Sequence, residues 1–94
     1  MSPVERFENK DGGYLRWVRH HPTGYVLNVA RTHSHHGVML HRATCFTIQN
    51  QAFRGSGWTT NFYVKVCSNG REPLRQWALR NVEMLPPDCL KCHP

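Results

Sequence analysis

Two short stretches decide the fold of this chain: HRATC at residues 41–45 and PPDCLKCHP at residues 86–94. In the second stretch, Cys89 and Cys92 form a C-x2-C pair framed by prolines. This spacing lets a tight turn direct two thiolates at one metal ion. The C-terminus is therefore predicted to form a metal-binding knuckle.

The first stretch supplies the rest of a metal site. His41 and Cys45 form an H-x3-C pair, which offers a nitrogen and a sulfur to the same centre. Three thiolates and one imidazole complete the tetrahedral ligand set of a structural zinc site, with no position open for a substrate. We predict that Zn²⁺ joins the C-terminus to the middle of the chain.

Two other uses of the cysteines stay open at this point. Cys67 could replace His41 and give an all-cysteine site, although Cys67 lies within a strand pattern while His41 shares a short unit with Cys45. Cys89 and Cys92 could instead form a redox pair, but no thioredoxin-like βαβ pattern surrounds them.

Length and composition indicate one small domain. The chain has 94 residues, of which 39% are hydrophobic and 11% aromatic, a composition typical of a globular fold. Residues 1–10 are expected to form a flexible arm and residues 11–94 a single zinc-stabilised domain. No apolar run is long enough to span a membrane, and the start resembles no secretion signal, so we expect a cytoplasmic protein. In a reducing compartment, four cysteines favour a metal over disulfides.

The hydrophobic pattern predicts an α+β domain: a three-stranded antiparallel sheet with two helices, closed by zinc. Asp11 is a reasonable N-cap for the first helix, which should end before Pro22. The second helix should begin at Pro73 and carry its apolar pattern as far as Leu85. A polar stretch, residues 49–61, is predicted to be a long loop. Strands are expected at residues 25–31, 38–42 and 62–67.

Charge is unevenly distributed along the chain. Lysine and arginine total 12 against 6 acidic residues, a net charge of +6, and all six acids lie near the two ends. From Gly12 to Arg71 there is no acidic residue. A surface built from this segment carries positive potential, which favours polyanions such as nucleic acids.

Seven residues of the basic segment are candidates for nucleic-acid contacts. The cations are expected at strand ends or in loops, where they could reach phosphates, and two aromatic side chains could stack on exposed bases. The loop of residues 49–61 is the part expected to touch bases or sense a modification. The candidates are Arg31, Arg42, Arg54, Trp58, Tyr63, Lys65 and Arg71.

The two cysteine-containing stretches resemble small bacterial zinc modules that pair H-x3-C with a terminal C-x2-C-x-P. Members of that group have a treble-clef-like fold and occur alone or attached to nucleases and DNA restriction proteins. The resemblance covers about fifteen of the 94 residues. It implies a metal role for four residues and no more specific activity: His41, Cys45, Cys89 and Cys92.

Catalysis is not expected. Metal-dependent nucleases hold Mg²⁺ with carboxylates, and the central segment has none. Thiol chemistry at Cys67 is conceivable, although no orienting acid lies near it in the sequence.

The sequence thus predicts a zinc-stabilised module that binds nucleic acid, with DNA as the expected ligand. It could recognise a modification as part of a restriction or defence system. The alternative is a protein-interaction adaptor, in which the zinc is purely structural and the basic face binds an acidic protein partner.

Overall fold

Four strands and two helices form the described part of the chain, which in this computed structural model comprises residues 3–48, 57–60 and 62–94. The predicted α+β class is confirmed. Within the described ranges, no helix is long and apolar enough to cross a membrane. In chain order the elements are β1 (Glu5–Phe7), α1 (Asp11–His20), β2 (Tyr25–Ala30), β3 (Met39–Arg42), a 3-10 turn (Phe46–Ile48), β4 (Tyr63–Ser68) and α2 (Arg71–Asn81).

The sheet has four antiparallel strands in the order β1-β4-β2-β3, so the predicted three-stranded sheet is wrong. The additional strand, β1, comes from the segment that was expected to be a flexible arm. Glu5 lies opposite Cys67, and Phe7 lies opposite Lys65 with its ring buried. A strand of three residues is too short to show an alternating pattern, and its pairing with β4 is what stabilises it.

One face of the sheet packs against α1. Residues directly opposite each other in neighbouring strands project to the same face, and the row formed by Cys67, Val26 and His41 crosses three strands. The buried core on this face also contains Tyr14 and Trp17 of α1. The predicted metal ligands His41, Cys45 and Cys89 are therefore in or beside this first core.

The opposite face packs against α2. Its central row is Val66, Leu27 and Leu40, all fully buried. Leu74 and Ala78, one helical turn apart, cover this row from α2 and complete a second core. The apolar spacing of α2 thus faces the sheet, as the sequence pattern predicted.

Helix α2 ends at Asn81, four residues before the predicted end at Leu85. The amides of Val82 and Glu83 both donate to the carbonyl of Ala78, and Glu83 has a left-handed φ of 62°. This is the termination geometry that glycine usually provides. Because a glutamate occupies the left-handed position, the sequence carried no stop signal there, and Leu85 is exposed.

Asp11 begins α1 but does not act as its N-cap, which is Lys10. Its carboxylate accepts hydrogen bonds from the amides of Gly57, Trp58 and Thr59, at 3.0, 3.2 and 2.6 Å, and from the Thr59 hydroxyl at 2.7 Å. Burial opposes ionisation of Asp11, but these donors outweigh it and lower its pKa. Asp11 thus fixes the segment that carries Trp58 against the first core.

The turn between α1 and β2 requires a glycine. A Cβ atom on Gly24 would lie 2.7 Å from Cη2 of Trp17 and 3.2 Å from the carbonyl oxygens of His21 and Ser68. The Gly24 carbonyl also accepts a 2.9 Å hydrogen bond from the amide of Ala43. Gly24 therefore lies where α1, β2, β4 and the segment after β3 pack against one another.

We predict that Gly24→Ala lowers the free energy of unfolding by roughly 1–3 kcal/mol, because the new methyl group overlaps a packed indole ring and two backbone carbonyls. Urea unfolding followed by circular dichroism measures the change. Gly12→Ala in α1 is the control, since a Cβ there meets nothing within 4 Å. The control should be neutral or stabilising by up to about 1 kcal/mol. Equal stability of the two variants would contradict the close-packed turn.

Candidate metal centre

The four predicted ligands come from two parts of the fold. His41 lies near the end of β3, in the row that faces α1. Cys45 follows in the turn that leaves β3, where its amide donates to the carbonyl of Arg42 at 3.0 Å. That turn reverses the chain and brings the thiol of Cys45 back to the same side as the imidazole.

The C-terminal segment brings the other two ligands by pairing with β3. The amide of Leu40 donates to the carbonyl of Pro87, and the amide of Cys89 donates to the carbonyl of Leu40, each at 2.9 Å. Leu40 and Asp88 form a parallel β-bridge. These bonds place Cys89 beside His41, the neighbour of Leu40, and the turn that follows returns Cys92 to the same centre.

The ligand atoms of His41, Cys45, Cys89 and Cys92 all lie within 4.8 Å of one another. The sulfurs of Cys45 and Cys89 are 4.0 Å apart. Two thiolates bound tetrahedrally at a Zn–S distance of about 2.3 Å are separated by about 3.7 Å, so the observed distance matches one shared ion. All four cysteines of the chain are free thiols.

The donor set is consistent with zinc. One imidazole and three thiolates fill a tetrahedral site completely, as in structural zinc sites. Among the described residues, these four side chains are close enough together to hold a metal ion. Cys67 does not belong to this group. Replacement of His41 by Cys67, the alternative left open by the sequence, is therefore not supported.

Backbone amides surround the thiol groups. The amide of Arg42 donates to Sγ of Cys92 at 3.2 Å, and the amide of Lys91 donates to Sγ of Cys89 at 3.4 Å. Burial opposes ionisation of Cys89, but hydrogen bonds from the amides of Cys92 and Lys91, and those with the thiols of Cys92 and Cys45, hold its pKa below the usual value. Hydrogen bonds of this kind orient thiolate ligands toward a metal.

His41 is in the protonation state that a metal requires. Burial, followed by the positive charge of Lys65, lowers the pKa of His41 to about 4, so the ring is neutral at physiological pH. Its Nδ1 atom is buried and makes no hydrogen bond. The residue therefore has a ring nitrogen that coordination would satisfy.

Cys92 shows why the cluster needs a cation. Burial raises the pKa of Cys92 to about 12, and the neighbouring Cys45 and Cys89 add to the effect. Three thiolates this close together, two of them buried, would repel one another. A divalent ion between them supplies the missing positive charge and reverses the effect, because a coordinated thiol loses its proton.

No protein-family model, curated protein or solved structure matches this chain. The assignment of the site therefore rests on the geometry and chemistry of the four side chains.

Two of the seven residues predicted to contact nucleic acid are instead in the protein interior. Trp58 and Lys65 are fully buried. The ammonium group of Lys65 donates to Oδ1 of Asn28 at 2.7 Å and to the carbonyl of Trp58 at 3.0 Å. The prediction that Lys65 reaches phosphates and that Trp58 stacks on bases is wrong, because neither side chain is exposed to solvent.

Two more candidates are only partly exposed, and a third cannot be placed. Arg31 is half-buried, with its guanidinium 2.6 Å from the carboxylate of Glu8 and 3.1 Å from the carbonyl of Thr59. Tyr63 is half-buried in β4. Arg54 lies outside the described residues.

Arg42 and Arg71 are exposed, and the structure brings them together around Tyr25. Tyr25 is directly opposite Arg42 in the sheet, and the Arg71 guanidinium lies over the Tyr25 ring, 5.8 Å from its centroid. Tyr25 was not among the predicted contact residues because it begins a strand whose pattern indicates burial. Lys91 was not among them either, although a lysine between two ligand cysteines must project from the knuckle.

Cys67 does not resemble a reactive thiol. It is fully buried in β4, and burial raises its pKa far above the usual value. A catalytic cysteine needs a lowered pKa and access to solvent.

We predict that the purified protein contains one zinc ion per chain and that Cys89→Ser removes it and unfolds much of the domain. The reason is that four coordinate bonds to the ion join two distant parts of the chain and offset the repulsion among three thiolates. Elemental analysis and circular dichroism measure metal content and fold. Cys67→Ser is the matched control, and it should retain full zinc content with little change in structure. Full zinc content in Cys89→Ser would rule out this ligand set.

Proposed function

We propose that this chain is a nucleic-acid-binding module, with DNA as its ligand, in which a structural Zn²⁺ ion holds the binding surface in shape. The observation that carries the proposal is the convergence of exposed cations from β3, α2 and the metal knuckle on one end of the sheet. We call this surface the basic end and define it by Arg42, Arg71 and Lys91, with Arg19 and His20 beside them.

A continuous set of contacts links the first three residues of the basic end. Arg71 lies over Tyr25, and Tyr25 pairs with Arg42 across the sheet. The guanidinium of Arg42 donates through Nε to the carbonyl of Cys92 and through Nη2 to that of His93, each at 2.9 Å. Lys91 is exposed in the same knuckle. The Nη1 group of Arg42 makes no hydrogen bond to the described residues, which leaves this arginine a donor for a phosphate.

The last turn of α1 adds an arginine and a histidine to this end. Arg19 and His20 are exposed, and the helix ends immediately before the turn at Gly24. Because Gly24 contacts Trp17 and precedes Tyr25, the C-terminus of α1 lies at the end of the sheet where β2 begins. A phosphate backbone could be contacted by side chains from both helices and the knuckle.

The acidic residues nearest the basic end are partly neutralised. Glu72, next to Arg71, pairs with Arg75 at 3.1 Å. Arg75 also lies 3.9 Å from Asp88, the acid of the knuckle segment. Arg71 and Arg42 have no such acidic partner among the described residues. The surface therefore keeps the net positive potential that favours a polyanion.

In this proposal the zinc ion positions the basic end and takes no part in chemistry. The amide of Arg42 donates to Sγ of Cys92, so the arginine is in direct contact with a metal ligand. Loss of the ion would release the knuckle and displace both Arg42 and Lys91. The treble-clef-like character, the role in restriction or defence and the recognition of a modification belong to the same proposal and are supported by the resemblance of the two cysteine-containing stretches alone.

One observation favours the alternative, an adaptor that binds an acidic protein. Three leucines of the C-terminal third are exposed: Leu79 by 43%, Leu85 by 62% and Leu90 by 80%. Exposed leucines contribute more to protein interfaces than to phosphate contacts. Leu90 is also adjacent to Lys91, so one partner could contact both.

We predict that a fluorescein-labelled 20-base-pair DNA duplex binds the zinc-loaded protein with an affinity that falls steeply with salt. Fluorescence anisotropy at several salt concentrations gives the dissociation constant and its slope. Arg71→Ala should weaken binding several-fold and reduce the magnitude of the salt slope by about one, because one phosphate contact is lost.

Arg80→Ala is the matched control, since Arg80 is also exposed but lies in the last turn of α2. It removes the same charge and should leave affinity nearly unchanged. If both variants weaken binding equally, the basic end is not the binding surface. If neither duplex nor single-stranded DNA binds at low salt, the nucleic-acid proposal is wrong and the adaptor is favoured.

A further inference from the structure

The loop between β2 and β3, residues 31–37, is firmly attached to the sheet. We call it the histidine loop because it contains His33, His35 and His36. The amide of Arg31 donates to the carbonyl of Phe62 at 2.7 Å, and the amide of His33 donates to that of Ala30 at 2.8 Å. These bonds hold the start of the loop next to β4.

The end of the histidine loop rests on an aromatic ring. Gly37 has a φ of 75°, and a Cβ atom on it would lie 2.5 Å from Cε1 and Oη of Tyr63. The side chain of Asn28 donates to the Gly37 carbonyl at 2.9 Å. Only glycine fits this conformation and this approach, so the loop is closely packed on Tyr63.

An exposed aromatic group lies beside this loop. Phe62 is 48% exposed, which is unusual for a residue adjacent to a central strand. Its ring is nearly perpendicular to that of Tyr63, at 5.0 Å and 82°, and to that of His36, at 6.3 Å and 79°. We call Phe62, Tyr63 and His36 the aromatic patch.

The charge around the aromatic patch favours an anionic ligand. Arg31, whose amide bonds to Phe62, has its guanidinium paired with Glu8, and Glu8 also pairs with Arg6. The Glu8 carboxylate, which pairs with Arg31 beside the patch, is thus neutralised by two arginines. The histidine loop contributes no acid and two exposed imidazoles, His35 and His36.

We propose that the aromatic patch binds an unpaired nucleobase of single-stranded nucleic acid, which stacks on Phe62. This inference rests on the proposed function and extends it to a second contact site. Aromatic and histidine rings stack on unstacked bases, and imidazole nitrogens can hydrogen-bond to base edges. A duplex buries its bases and cannot use this site.

The patch and the basic end are on opposite ends of β2. The six residues from Tyr25 to Ala30 span about 17 Å, which equals about five nucleotides at 3.4 Å each. A single strand of ten nucleotides is therefore long enough to contact phosphate ligands at one end and a stacking site at the other. Shorter strands would be limited to one site.

The experiment compares labelled dT10 with a ten-nucleotide strand of abasic sites, by fluorescence anisotropy on the zinc-loaded protein. Wild type should bind dT10 at least tenfold more tightly than the abasic strand, because base–aromatic stacking contributes about that factor. Phe62→Ala should lose roughly tenfold for dT10 and nothing for the abasic strand. Phe62→Tyr should retain stacking, whereas Phe62→Leu, which is apolar but not aromatic, should not.

Phe46→Ala is the control, since Phe46 is equally exposed at 48% but lies in the 3-10 turn. It should bind dT10 like wild type once its zinc content is confirmed. If Phe62→Ala leaves dT10 affinity unchanged while Arg71→Ala weakens it, the stacking site is wrong and the proposed function stands. If wild type binds dT10 and the abasic strand equally, the stacking site is also wrong. If wild type binds no nucleic acid, both proposals fail.

Discussion

The two hydrogen bonds between Leu40 and the C-terminal segment are the constraint on which the metal site depends. Cys45 and Cys89 are 44 positions apart in sequence, and bringing such distant groups together has an entropic cost that grows with the length of the loop. The backbone of β3 opposes that cost by pairing with Pro87 and Cys89. The same pairing covers the outer edge of β3, which would otherwise present unpaired amide and carbonyl groups. The pairing that brings Cys89 close to His41 and Cys45 therefore also covers the edge of the sheet.

The electrostatics of the first core are consistent with an ion at this site. A Zn²⁺ ion with three thiolates carries one net negative charge. Lys65 is fully buried on the same face of the sheet as His41, and its charge acts on the pKa of that ligand. A buried ammonium group is unfavourable unless it is hydrogen-bonded and compensated. Its bonds to Asn28 and Trp58 provide the hydrogen bonds, and a bound Zn²⁺ with its three thiolates would provide the compensating negative charge.

The sequence predicted features that depend on local spacing and missed those that depend on tertiary contacts. The ligand pairs His41–Cys45 and Cys89–Cys92 follow from turn geometry, and the main strands follow from periodicity. The second helix begins at Arg71, two residues before the predicted Pro73. Lys65 was misplaced because a charged residue in an alternating strand normally points to solvent, whereas here β4 is buried on both faces. Trp58 was misplaced because its polar neighbours gave no sign that Asp11 fixes that segment. Strand β1 was missed because a strand of three residues is too short to show an alternating hydrophobic pattern.

The antiparallel topology explains why the remaining cations converge. β2 begins at the end of the sheet where β3 and β4 finish, so Tyr25, Arg42 and the residues preceding Arg71 meet there whatever their separation in sequence. Of these positions, Arg42 alone also contacts the metal knuckle, through both its amide and its guanidinium. A bound metal would therefore act on the proposed basic end through Arg42, because the position of this arginine depends both on the register of β3 and on its contact with Cys92. We expect such a surface to be rigid when the ion is bound, which would link the stability of the domain to the arrangement of its positive charge.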